Sequence, residues 1–157
     1  MDQYKIKLMN DHDARIIAKW AYEAPYDFYN MENDPEDLEE LLDSEARKDA
    51  YYSVFDEQNR LIGFFCFDEQ IETVEIGLGM RPDLTGKGAG EAFLNAGLSF
   101  AQEKFKKPHF SLAVATFNKR ALKVYERAGF EIEETVMVKT NGGVYPFYSM
   151  VLTEEKA

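Results

Sequence analysis

The chain reads as a mixed α/β protein, with a mostly antiparallel sheet of about seven strands flanked by about four helices. Three observations predict this. Apolar runs that alternate, or stay short and continuous between turn residues, recur at 4–9, 51–55, 61–67, 73–80, 110–115, 130–139 and 144–152, which is the pattern of strands. Between some of them apolar residues return at helical spacing, most clearly from Ala92 to Phe105. Lastly, the strand ending at Met80 runs through a glycine-rich loop into a helix and then a further strand, and such a crossover makes those two strands parallel.

In order, Tyr4 to Met9 sets Tyr4, Ile6 and Leu8 against Lys5 and Lys7, a half-buried strand. Asn10 or Asp11 caps a first helix with Ile16, Ile17, Trp20 and Ala21 on one side, and Pro25 stops it. Trp20 to Met31 is then rich in rings, with Trp20, Tyr22, Tyr26, Phe28 and Tyr29 interrupted by Glu23, Pro25 and Asp27. Asp34-Pro35 starts a second helix whose apolar side is Leu38, Leu41 and Leu42 and whose outer carboxylates are solvated. Tyr51 to Phe55, Leu61 to Phe67 and Thr73 to Met80, joined by turns, form a three-strand antiparallel meander. The helix after the glycine loop keeps Ala92, Phe93, Ala96, Leu98, Phe100, Ala101 and Phe105 on one side and leads to the strand Phe110 to Ala115. A last helix from about Asn118 to Ala128 ends at Gly129, and two strands, Phe130 to Lys139 and Val144 to Leu152, meet through Asn141-Gly142-Gly143.

The 157 residues are read as one domain, 1–157. No apolar run reaches the roughly 18 residues of a membrane helix, and the polar start Met1-Asp2-Gln3 is no signal peptide, so the expectation is a cytoplasmic protein. Cys66, the one cysteine, excludes an internal disulfide and reads as a buried strand residue. His12 and His109 have no partner at ligand spacing, so no metal site is expected. The formal charge is −11, unevenly spread. Residues 1–49 hold 14 acidic and 6 basic groups, while 81–127 hold 4 acidic and 9 basic. The basic stretch suits a polyanionic ligand, and the acidic part attracts a cationic one or simply keeps the chain soluble. So acidic a chain is a poor partner for nucleic acid.

The residues with the clearest chemistry are Thr85, Gly86, Lys87, Gly88, Ala89, Gly90 and Glu91. A strand that passes through alternating glycines into a helix presents unpaired N–H groups at the positive end of the helix dipole, which suits a phosphate. A P-loop needs four residues between its first glycine and Gly-Lys, followed by a hydroxyl residue. Six separate Gly79 from Gly86-Lys87, and Gly88 takes the hydroxyl's place. A dinucleotide fingerprint needs two residues before its last glycine, where only Ala89 stands. A tight strand-to-helix turn with no ligand is the structural alternative.

Gly88 and Gly90 following Met80-Arg81-Pro82, together with Asn118, Ala121, Tyr125, Gly129 and Phe130 in that order, resemble the two motifs of the GNAT family of N-acetyltransferases. Thr85 departs from the Arg or Gln usual at the start of the first motif. The likeness spans about Tyr51 to Leu152 and is weak before it.

The resemblance implies the acyl-CoA N-acyltransferase fold and transfer of an acetyl group from acetyl-CoA to a primary amine, directly, in a ternary complex. It implies that residues 85–91 hold the diphosphate and that the backbone of Leu78 and Met80 binds pantetheine and the acyl oxygen. Gly77 and Gly79 then admit the cofactor closely or permit a bulge, unless packed aromatics cross the strand there. Tyr125 becomes the general acid for the leaving thiolate, and Glu75, with Glu72 as the second candidate, the base that frees the amine. Asn118 contacts the cofactor or caps its helix. Lys87, Lys119, Arg120 and Lys123 meet phosphate or are solvated. Trp20, Tyr26 and Tyr29 line a cation-π wall for a cationic acceptor, or pack on the sheet. A non-catalytic acyl-CoA binding or sensing module and a nucleotide-phosphate binder are the competing readings. The acceptor stays open among a small amine, an antibiotic, a free amino acid and a protein amino terminus. The exposed edge of the last strands can pair with a second copy as a homodimer.

Overall fold

All seven expected strands form in the computed structural model, which describes residues 4–153. They are β1 (Lys5–Leu8), β2 (Tyr51–Phe55), β3 (Leu61–Glu69), β4 (Thr73–Met80), β5 (His109–Ala115), β6 (Glu131–Thr140) and β7 (Gly143–Thr153), in the sheet order β1-β2-β3-β4-β5-β7-β6. The helices among the described residues are α1 (Asp11–Ala18), α2 (Pro35–Leu42), α3 (Ser44–Arg47), α4 (Gly90–Phe105) and α5 (Lys119–Arg127), one more than expected. Two compact units divide the described residues: one holds 4–66 with Leu78–Thr85 and Lys139–Val144, the other Phe67–Gly77, Gly86–Val138 and 145–153.

In the first unit β1 pairs antiparallel with β2, and β2 with β3. Asn10 caps α1, its side chain accepting from the Asp13 N–H at 2.8 Å. The helix stops two residues before Trp20, because the N–H groups of Lys19 and Trp20 reach back only three residues, to Ile16 and Ile17. Trp20 and Ala21 therefore lie outside the helix, and of the expected apolar side Ile17 is buried while Ile16 is exposed. A core cluster gathers Met9, Ala14, Ile17, Leu41 and Tyr51, with Trp20 and Met31 packed against it. Leu8, expected inward, is 56% exposed.

Two buried polar groups cross this unit. Ser53 donates to Asp13 Oδ2 at 3.0 Å. Arg47 ends α3, a helix of four residues that is too short to leave a periodic signature. It is buried, donating to the Leu41 carbonyl at 2.5 Å and pairing with Asp11.

In the second unit β4 runs parallel to β5 through Thr73–His109, Val74–Phe110 and Glu75–Ser111, as the crossover requires. β5 pairs antiparallel with β7 along its length, from His109–Thr153 to Ala115–Phe147. The inner side of α4 is Phe93, Leu94, Gly97, Leu98 and Ala101. Leu94 and Gly97 were not on the expected face, and Ala92, which was, is exposed. Phe67 stacks on Phe100 at 5.9 Å and meets the edge of Phe105 at 5.6 Å. Gly129 takes φ +105 after α5, where a Cβ would stand 3.0 Å from Leu152 Cδ1, so the helix ends as expected.

At the β6–β7 hairpin both Asn141 (φ +53) and Gly142 (φ +73) are left-handed, the turn that twisted strands favour. Cys66, expected to be buried, is half-buried on β3.

Candidate functional site

The loop after β4 is built in two stages. Pro82–Leu84 makes one 3-10 turn. It is closed by Thr85, whose N–H and hydroxyl both donate to the Pro82 carbonyl, at 3.3 and 2.8 Å. Thr85, the departure from the family motif, therefore shapes the turn with its side chain. The chain then alternates hands. Gly86 and Gly88 have φ +72 and +82, and Ala89 returns to the right-handed region at φ −87, ψ −8. A left-handed residue followed by a right-handed one turns successive N–H groups into a concavity that binds anions. Among the described residues no backbone hydrogen bond outside the helices and strands has an N–H from Gly88 to Glu91 as donor, and the cap of α4 at Ala89 carries no side-chain hydrogen bond.

The three glycines have different reasons to be there. A Cβ on Gly88 would meet nothing within 4 Å, so this position needs glycine for its backbone hand and keeps the concavity open. At Gly86 a Cβ would stand 2.9 Å from Arg120 Nη1, which places a guanidinium against the loop. At Gly90 it would stand 3.3 Å from Val124 Cγ2, so this glycine lets α4 and α5 approach. Lys87 and Glu91 are exposed, and Glu91 lies in the first turn, where the dipole favours a carboxylate.

On α5, Asn118 is buried and its Oδ1 accepts from the Ala121 N–H at 3.1 Å, so of its two expected roles the cap is realised. Tyr125, seven residues on, is half-buried with its ring 6.3 Å from Phe130. The fold brings Arg120 beside Gly86, and Lys119 lies 6.0 Å above the Tyr148 ring.

The pairing of β4 with β5 stops at Glu75–Ser111. Val74 and Ile76 are buried, and Glu75 between them is exposed on the opposite face. A Cβ on Gly79 would collide with Phe64 Cε1. The Met80 carbonyl accepts from the Tyr22 hydroxyl at 2.8 Å. Burial pushes that phenol up to about 12, so it keeps its proton and donates throughout the neutral range. Sequence reasoning saw Tyr22 only as one ring among several, since its partner is 58 positions away.

The aromatic segment folds into 3-10 turns at Tyr26–Tyr29 and Met31–Asn33. Trp20 is committed to the core cluster, Tyr26 is half-buried, and Tyr29 is 36% exposed with its ring edge-on to Phe28 at 5.4 Å. The β6–β7 hairpin tip holds this segment: Asn141 Nδ2 donates to the Phe28 carbonyl at 2.7 Å and the Thr140 hydroxyl to Asp34 Oδ2 at 2.6 Å.

The Thr140 hydroxyl keeps Asp34 below the usual carboxylate range. Asp37 is exposed as a residue, yet its carboxyl is partly withdrawn from water, and this, with the charges of Asp34, Glu40 and Glu36, pushes it up to about 6. No group of three or more His, Cys, Asp or Glu side chains among the described residues is placed to hold a metal ion, and none of their helices is long and apolar enough to cross a membrane.

The β4 strand, the glycine loop and the helix capped by Asn118 stand in the order of the two motifs named above. Residues 14–130 match the model of the acetyltransferase (GNAT) family, and the chain belongs to that family. The match begins well before Tyr51, so the family pattern reaches into the first helix.

Over 58 residues the chain is 41% identical to a mycothiol acetyltransferase of Propionibacterium freudenreichii, a segment covering 37% of this chain; the chain spans 18% of that relative's length. Among solved structures, spermidine N-acetyltransferase from Vibrio cholerae in complex with CoA and spermine superposes with TM-score 0.76 at 22% identity, over 96% of this chain and 95% of that one. A chimera of the Vibrio cholerae enzyme and hSSAT gives 0.79 at 24%, over 97% and 96%, and a GNAT-family acetyltransferase from Bacillus anthracis gives 0.79 at 18%, over 99% and 97%. These likenesses establish the acyl-CoA N-acyltransferase fold.

Proposed function

We propose that the chain is an acetyl-CoA-dependent N-acetyltransferase that acts on a cationic primary amine by direct transfer in a ternary complex. The observation that carries this is the concavity at Gly88–Ala89, whose unpartnered N–H groups lie at the start of a 16-residue helix and suit a diphosphate. Family membership supports the identity of the donor, which supplies the acyl group as an activated thioester.

The residues divide the work. Gly86 to Glu91 hold the diphosphate by their backbone, with the Arg120 guanidinium beside Gly86 to offset its charge. Leu78 and Met80 orient the pantetheine arm and acyl oxygen through β4. An amine with a pKa near 10.4 is mostly protonated at neutral pH and must lose a proton before it attacks. Glu75, exposed on β4, takes that proton through water. The amine nitrogen forms its bond to the acyl carbon as the carbon–sulfur bond breaks, the Tyr125 phenol delivers a proton to the departing sulfur, and the proton shed by the newly acylated nitrogen passes through water to restore the phenol.

The acceptor class follows from charge. The amino-terminal third is strongly acidic, and the exposed ring of Tyr29 lies in the segment that Thr140 and Asn141 hold near Asp34. The spermine-bound neighbour of the same fold supports a polyamine-like acceptor. A panel of polyamines, amino acids, aminoglycosides and peptides, read by thiol release from acetyl-CoA, tests the proposal. Release with a polycation and none with neutral amines is expected. Tight CoA binding without release from any amine would leave the non-catalytic binding module in its place.

A further inference from the structure

The peptide that joins Met80 to Arg81 at the end of β4 is held from both sides. Its N–H donates to the Ile62 carbonyl of β3 at 2.8 Å. Carbonyl and N–H of a trans peptide point in opposite directions, so the Met80 carbonyl faces away from β3, and there it accepts from the Tyr22 hydroxyl at 2.8 Å. Tyr22 is itself fixed, because its backbone N–H donates to Asn30 Oδ1 at 2.8 Å. In an extended residue N–H and carbonyl face the same side. The Met80 N–H therefore points to the side where Tyr22 occupies the Met80 carbonyl.

We infer that Tyr22 is a positioning residue for acyl transfer: its hydroxyl pins the Met80–Arg81 peptide and occupies the Met80 carbonyl, so that the Met80 N–H is the group offered to the acyl oxygen. The inference rests on the reading of the β4 end as the acyl-binding strand. Its physical basis is electrostatic. A developing oxyanion is stabilised by donors already aimed at it and opposed by a bare carbonyl oxygen beside them. The phenol offsets that carbonyl and prevents the peptide from rotating. Tyr22 touches neither sulfur nor amine in this scheme, which separates its role from that of Tyr125.

Tyr22→Phe keeps the ring and deletes the hydrogen bond. The Met80 carbonyl 13C resonance of the full chain should move while that of Ile62 stays. kcat should fall about five- to tenfold, the worth of one such bond, with KM for acetyl-CoA within about twofold of the parent. Should the ring lose its seat and the variant melt early, Asn30→Ala supplies the second test. It loosens Tyr22 but keeps the hydroxyl, and should give a smaller loss of kcat with the same unchanged KM. An unmoved Met80 resonance, an unchanged kcat, or a rise in KM alone overturns the inference. A parent that releases no thiol from acetyl-CoA fails at the earlier step, the catalytic reading itself, and is told apart by that control.

Discussion

The ring of Phe64 occupies the place where a side chain at position 79 would stand, its Cε1 in collision with a Cβ on Gly79. Glycine there is a packing requirement. Its effect is to let an aromatic of β3 lie across the backbone of β4 close to Met80. Gly79→Ala should cost about 1–3 kcal/mol, the range of overpacking a filled site. Phe64→Leu in the same chain should return a large part of it. Chemical denaturation of the two single variants and the double closes the cycle, and strictly additive losses would contradict the contact.

Gly88→Ala forces a side chain into a left-handed residue at a strain of about 1–2 kcal/mol, although nothing within 4 Å obstructs it. The cheaper outcome is a change of backbone hand, which scatters the N–H groups. CoA affinity measured by calorimetry should drop about tenfold. Gly142→Ala is the control, equally left-handed at φ +73, equally unobstructed, and on the hairpin tip. It should lose similar stability and keep its CoA affinity. Equal affinity losses in both would remove the loop from the cofactor site.

Tyr125→Phe keeps the ring that packs against Phe130 and removes the phenolic hydroxyl with its proton. As general acid it accounts for about a hundredfold in kcat, with KM for acetyl-CoA little altered. A turnover equal to the parent's would assign the proton to another group and leave family membership standing.

Asp37 provides a prediction in pH. Its folded carboxyl is raised from 3.8 to about 6, so between those values the folded chain holds a proton that the unfolded chain has lost, and stability falls as pH rises through the window. Asp37→Asn removes this. The variant's melting temperature should match the parent's near about pH 4 and exceed it above about pH 7. A difference that is the same at both ends would mean that Asp34, Glu36 and Glu40 do not act on Asp37.

The amino-acid sequence by itself determined what is local. Strand and helix periods, the Asp34-Pro35 helix start, the Asn141-Gly142 turn and the glycine loop are each written within a few consecutive residues, because backbone geometry and side-chain alternation are properties of neighbours. It erred where packing overrides period, as in the early end of α1 and the face of α4, and it made no reading of the four-residue α3.

Only the tertiary structure decided which partner each side chain meets. It gave Tyr22 to the Met80 carbonyl across 58 positions, Thr140 to Asp34 across 106, and the Arg120 guanidinium to the glycine loop. Such pairs carry no period that a sequence can display. They exist because close packing leaves each buried polar group few places to find its hydrogen bond.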